Sequence, residues 1–331
     1  MDYTDINRFL QRQGLDVTFG TLMKGVSSPE GCLELLGSVL KDNLVPQKEE
    51  FLTLAILCVL FGAVSQLVLS FGEKEDKGVL DTVFFVCASG ICLRLFLHSF
   101  TMTGRCVVTL AAFMKVLMPV FCISILVAKG FHTASVFYGA VLGEVCIFQT
   151  VLAKLCLPGA KLLIGMHFSN AISGQKLFER FARLISDGEA VLLKGMIAFI
   201  SGFQIIQGLL APGLDTAITE GVKKATGFFP GLMTASSACI GLISGLSGTV
   251  KNSIGATGLF VIFMLFFPTF FQLLLYLAAF RLLEACVSPF TTEAMNRMLT
   301  GTYESVLLLF KLLLHTVTFL FVSLCIVTAL S

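Results

Sequence analysis

The chain of 331 residues is 56% apolar and only 13% charged, with a formal net charge of +2 and a mean hydropathy of +0.91. So few polar residues cannot cover a water-facing surface, which excludes a soluble globule and points to an integral membrane protein. The balanced charge, without any basic block interleaved with aromatics, excludes nucleic acid as a partner.

Residues 1–50 mix charges throughout, so they carry no apolar leader and no cleavable signal segment is expected. Within them Ser28 can cap a helix with Pro29 at its first position, and Leu33, Leu36, Val39 and Leu40 then share one face. This gives an N-terminal amphipathic, interfacial region, 1–50, ahead of a polytopic transmembrane domain, 51–331. A membrane helix needs about 20 mostly apolar residues. Runs of that kind lie near 51–71, 79–100, 106–128, 131–153, 188–210, 254–280 and 305–330, with a weaker one at 227–250. The expected fold is therefore all-α, a polytopic membrane helix bundle with seven or eight membrane-embedded helices.

Between the fourth and fifth runs, Leu177, Phe178, Phe181, Leu184 and Ile185 form an apolar stripe opposite Lys176, Arg180 and Arg183. Such a helix either rests in the membrane interface or packs on the bundle. If the basic segment from Lys154 to Arg183 is cytoplasmic, the N-terminus is inside as well.

The usual catalytic signatures are missing from the sequence. It contains no Gly-x-x-x-x-Gly-Lys-Ser/Thr loop, no His-Glu-x-x-His and no Gly-x-Ser-x-Gly. The eleven cysteines lie mostly in apolar runs without a Cys-x-x-Cys pair, and read as small buried hydrophobes. No enzyme activity, cofactor or metal is expected.

Ionisable groups inside the runs are then the functional candidates, since a charge at mid-bilayer costs at least about 2.5 kcal/mol. Lys115 and Glu144 stand at similar distances from the turn near Lys129 and Gly130, on opposite arms of one hairpin. They form either a polar patch lining a conduit or proton path, or a buried ion pair. Weaker candidates are Arg94 with His98, which can snorkel to headgroups, then Gln204, Gln207, Lys311 and His315, which face a polar lumen or bond between helices.

Lys251 is the one Lys, Arg, Asp, Glu or His between Ala225 and Phe280. Around it the small residues Ser237, Gly241, Gly245, Gly248 and Gly255 favour close helix packing. Lys251 and Asn252 are expected at the tip of a hairpin whose arms are interrupted by Pro230 and Pro268.

Three segments in this order, "KKATGFFPG" (Lys223 to Gly231), "TVKNSIGATGL" (Thr249 to Leu259) and "FFPTFFQLLLYLAAFRLLEACVSPF" (Phe266 to Phe290), resemble the C-terminal half of the stage III sporulation protein AE family. The stretch "VLSFGEKEDKGVLDTVFFV" is similar in layout, and the resemblance runs from about Leu44 to the C-terminus. It implies a multipass component of a secretion-like channel between mother cell and forespore, in the mother-cell-derived outer forespore membrane. The implied partners are other stage III sporulation channel proteins, including an ATPase and ring-forming subunits, besides membrane lipid. The chain is then a conduit or export-gate-like subunit without energy chemistry of its own. A scaffold that docks the ATPase and rings, and a stand-alone secondary transporter, are the alternatives.

Overall fold

The computed structural model describes residues 3–13, 18–25, 52, 53, 56, 60, 74–129, 131–173, 177–226, 233–288 and 292–330, with backbone alone for 24–25, 74–78, 127–129, 131–133, 208–226, 233–251, 286–287 and some single positions. The amphipathic helix expected around Ser28 and nearly all of the run 51–71 lie outside the described residues. What is described is helical throughout. Two short helices, α1 (Thr4–Arg12) and α2 (Phe19–Gly25), precede α3 (Lys74–Lys129), α4 (Phe131–Val151), a π-helical turn (Leu152–Cys156), α5 (Leu157–Ser173), α6 (Glu179–Thr226), α7 (Met233–Val287) and α8 (Glu293–Leu330).

Among the described residues five helical segments are long and apolar enough to cross a membrane: Asp81–Ile123, Phe137–Ser173, Glu179–Gln207, Asn252–Ala285 and Glu293–Ala329. The expected seven or eight spans are not found among these residues, because two expected breaks are continuous helix. The runs 79–100 and 106–128 fuse into α3, whose 56 residues reach about 84 Å at 1.5 Å per residue. The break expected between Phe100 and Cys106 stays helical. Ser99, Thr101 and Thr103 each return their hydroxyl to the carbonyl four residues back, and Gly104 lies beside Leu157.

The apolar stripe at Leu177 to Ile185 is likewise no separate helix but leads into α6, the run 188–210 following in the same helix. Its Leu177, Phe181 and Leu184 are exposed.

The π-turn has a local cause. Pro158 cannot donate to the carbonyl of Lys154 and its ring crowds that turn; the chain widens instead, and Leu157 N–H donates to Leu152 O, five residues back. The helix therefore passes from α4 to α5 without a break.

Helix α8 is the hub, packing on α3, α5, α6 and α7, while α3 also meets α4 and α7, and α4 meets α6. Neighbour pairs fix the axial register. Towards the α3–α4 turn, a layer is formed by Leu117, Gly258 and Leu324. Lower down, Cys106 Sγ donates to Leu265 O, Gly104 meets Leu157, and the Phe270 ring meets that of Phe310 in a tilted contact. Lower still, Gly301 lies under His167 and Gly159 under Glu189.

This register divides the bundle into two halves. Above the level of Arg105, Lys154, Lys194 and Lys311, the described side chains of the five long helices include only Lys115, Glu144 and His315 among Lys, Arg, Asp, Glu and His, up to residue 126 on α3 and from residue 134 on α4. The lower half carries many ionisable groups and uses several as bridges: His167 Nε2 to Glu304 at 3.3 Å, Arg281 to Glu284 at 3.0 Å, and Thr300 to Glu284 at 2.6 Å.

The N-terminal helices lie on the α3–α7 flank. Ile6, Leu10, Phe19 and Leu22 are buried, the Phe9 ring meets that of Phe113 in a tilted contact at 5.8 Å, and Asn7 Oδ1 accepts the Phe19 N–H at 2.7 Å. Helix α1 packs on α3 and α2 on α7.

Candidate functional site

In the upper half, three helices bring polar side chains to one point. Gln204 of α6 is fully buried, and its Nε2 donates both to Glu144 Oε2 of α4 and to Ser323 Oγ of α8 at 2.6 Å. Glu144 and Ser323 are buried as well. Glu144 Oε1 and Gln204 Oε1 are buried without a hydrogen-bond partner among the described residues, as is Gln207 Oε1 one turn further on. On the flank between α4 and α6, Glu144 is the polar member of a groove of about 590 Å³ whose walls include Ile147, Val191, Met196, Phe199 and Phe203. In apolar surroundings a buried amide and carboxylate hold each other because neither has water to turn to. The arrangement ties α4, α6 and α8 together and leaves acceptor oxygens free. Among the described residues no group of three or more His, Cys, Asp or Glu side chains could hold a metal.

The expected pairing of Lys115 with Glu144 is not what the structure forms. Lys115 is exposed and its Nζ donates to Gln149 Oε1 at 3.2 Å. Depth is similar for the two charges, since Ser323 stands beside Leu324, which with Leu117 surrounds Gly258. Azimuth differs: five residues separate Glu144 from Gln149, about 140° around a helix of 3.6 residues per turn. The face of α4 towards α3 carries Val145, Phe148 and Leu152, so Glu144 turns to α6 and α8 instead.

The hairpin expected at Lys251 and Asn252 is also absent. Helix α7 runs unbroken from Met233 to Val287, through Lys251 and through Pro268. Small residues that suit a turn are equally compatible with a helix that other backbones approach closely. Asn252 is exposed. The side chains at Ser237 and Lys251, and the surroundings of Gly241, Gly245 and Gly248, lie outside what is described, as does Pro230. Gly255 does pack closely: a Cβ there would sit 2.7 Å from Thr328 Oγ1.

Arg94 and His98 are exposed, inside a long helix rather than at its end, and the His98 ring meets Tyr276 at 6.5 Å. Lys311 is exposed, and its carbonyl contacts His315 Nδ1 at 2.7 Å. Sequence reasoning missed Ser323, one hydroxyl among many in apolar runs. It also missed Glu189, buried against Gly159 with both oxygens unpartnered among the described residues; its position four residues before Leu193 on the buried face of α6 was the available signal.

Helices long and apolar enough to cross a membrane, tied together by an internal polar cluster, point to a helical membrane protein. The model of the stage III sporulation protein AE family matches residues 19–331, and the chain belongs to that family. It is a sporulation-related membrane protein. Comparison with curated proteins and with solved structures gave no match.

Proposed function

We propose that the protein is a membrane subunit of a sporulation-specific, secretion-like channel complex that connects mother cell and forespore, sitting in the outer forespore membrane as a conduit or export-gate-like component. One observation carries this reading. Helix α1 lies against α3 at the level of Phe113, eight residues above Arg105, or about 12 Å into the apolar half. There it carries the exposed, ion-paired Asp5 and Arg8 and the exposed Arg12. Lipid at that depth does not accept three such groups, so the α3–α7 flank faces water or other protein, as a subunit bordering a conduit requires.

Energy in this reading comes from a partner ATPase, and ring-forming subunits continue the path between the membranes. The scaffold alternative draws support from the Glu144–Gln204–Ser323 cluster, whose bonds tie three helices together. A stand-alone transporter has less support, because the charged flank is on the outside.

Purification from sporulating cells in mild detergent tests the reading. The expected result is migration as a large assembly that includes an ATPase, with no ATP turnover or solute uptake by the chain alone in liposomes. Migration as a single chain that transports solute unaided would contradict it.

A further inference from the structure

Five exposed cations lie at one level of the bundle, at the boundary between its two halves. Arg105 follows Gly104, which meets Leu157. Lys154 and Lys161 stand within about a turn on either side of that leucine, and Lys161 Nζ lies 4.4 Å over the Phe100 ring. Glu189 packs on Gly159, so Lys194, five residues higher on the antiparallel α6, returns to the level of Lys154. Lys194 lines a groove with Leu314, His315 and Thr318, which puts Lys311 one turn below, beside the others. The band is therefore about 10 Å tall at 1.5 Å per residue.

The cations are contributed by α3, the α4–α5 helix, α6 and α8. Helix α7, on the flank covered by α1 and α2, contributes none. Above the band, α6 runs from Gly195 to Gln207 and α8 from Leu312 to Ala329 with His315 as the one residue among Lys, Arg, Asp, Glu and His. Below it, α6 carries Glu179, Arg180 and Arg183 within two turns, and Asp187 and Glu189 stand at the lower part of the band itself. A bilayer core of about 30 Å takes roughly 20 helical residues, about half of each of these helices, and the charge distribution selects the upper half.

We propose that Arg105, Lys154, Lys161, Lys194 and Lys311 form a girdle that binds the headgroups of anionic phospholipid, so that the bilayer ends at this level and the lower half of the bundle projects from the membrane. The occupant follows from charge complementarity. A ring of exposed cations directly below an apolar belt matches an anionic leaflet, each contact being an attraction between a Lys or Arg and a headgroup phosphate within a Debye length. The leaflet richest in such lipid is the cytoplasmic one, so the lower half, with the α5–α6 and α7–α8 connections, faces that side. There the exposed Val83, Val86, Leu177 and Leu184 lie outside the lipid.

Native cysteines report the bilayer level without any substitution. Cys87 is exposed in the lower half, and Cys146 and Cys325 are exposed in the upper half. In liposomes of phosphatidylcholine and phosphatidylglycerol opened to both sides, a water-soluble maleimide is expected to modify Cys87 and spare Cys146 and Cys325, as read by peptide mass spectrometry. Modification of Cys146 and Cys325 at the rate of Cys87, or protection of Cys87, overturns the placement.

For the lipid itself, protein purified from the same mixed vesicles is expected to retain phosphatidylglycerol several-fold over phosphatidylcholine. That enrichment should be lost in 0.5 M salt, roughly on the order expected from a Debye length near 4 Å, and when all five residues are changed to Gln, while Lys115→Gln keeps it. Equal retention of the two lipids by the unmodified protein, or enrichment untouched by the five changes, overturns the girdle.

Discussion

The amide of Gln204 is shared between Glu144 and Ser323, so that a single side chain of α6 holds both α4 and α8. Replacing Gln204 by Leu removes the donor from the buried Glu144 carboxyl group, and leaving a buried polar group unsatisfied costs about 1–3 kcal/mol. The expected loss for Gln204→Leu is about 2 kcal/mol, and the double change Glu144→Leu with Gln204→Leu should lose less than the sum of the single changes, by about 1 kcal/mol. Thermal unfolding in detergent micelles reads both. Strict additivity would show that the two side chains do not act together.

Lys115 is exposed, and among the described residues its Nζ donates to Gln149. Lys115→Gln should change stability by no more than about 0.5 kcal/mol, as for other surface positions. Exchanging the charges, Lys115→Glu with Glu144→Lys, should be as damaging as Glu144→Lys alone, since Glu144 lies about 140° around α4 from Gln149, the residue that Lys115 reaches. Recovery of the unfolding midpoint in the exchanged protein would show that they do pair.

Four glycines should respond in a fixed order. At Gly301 an added Cβ would lie 2.5 Å from His167 Cβ, an atom that moves only with its backbone, so Gly301→Ala should cost about 1–3 kcal/mol. Gly255→Ala meets Thr328 Oγ1 at 2.7 Å and should cost less. Gly258→Ala meets the ends of Leu117 and Leu324, which can rotate aside, and should cost least of the three. Gly143→Ala has nothing within 4 Å and should gain about 0.5–1 kcal/mol from helix propensity. The unfolding midpoints of the four variants check the order.

The sequence showed the helices and their approximate depth but not their azimuths or joins. Apolar runs marked the helix interiors, and the counting that placed Lys115 and Glu144 at one depth was sound. Period alone does not say which neighbour a face meets, and the partner of Glu144 was set by which side of α4 packs on α3. Gln204 stood out as an amide in an apolar run, whereas Ser323 resembled every other hydroxyl that bonds its own helix, as Thr316 does. The joins failed for a related reason. In water, "SFTMTGR" at Ser99 to Arg105 marks a loop; in this bundle its hydroxyls cap backbone carbonyls within the helix and its glycine admits Leu157. Lys251 and Asn252, after a run of small residues, were expected at the tip of a hairpin, and there too the backbone remains helical.

The polar flank of α1 is tested most directly by crosslinking in sporulating cells. A photoreactive amino acid placed at Arg8, on the exposed face of α1, is compared with one at Phe199, which is 74% exposed on the groove flank of α6. The expected result is a covalent adduct to another polypeptide of the complex from position 8, and lipid adducts alone from position 199. Lipid adducts from position 8 with no protein adduct would contradict a subunit whose α3–α7 flank borders other chains.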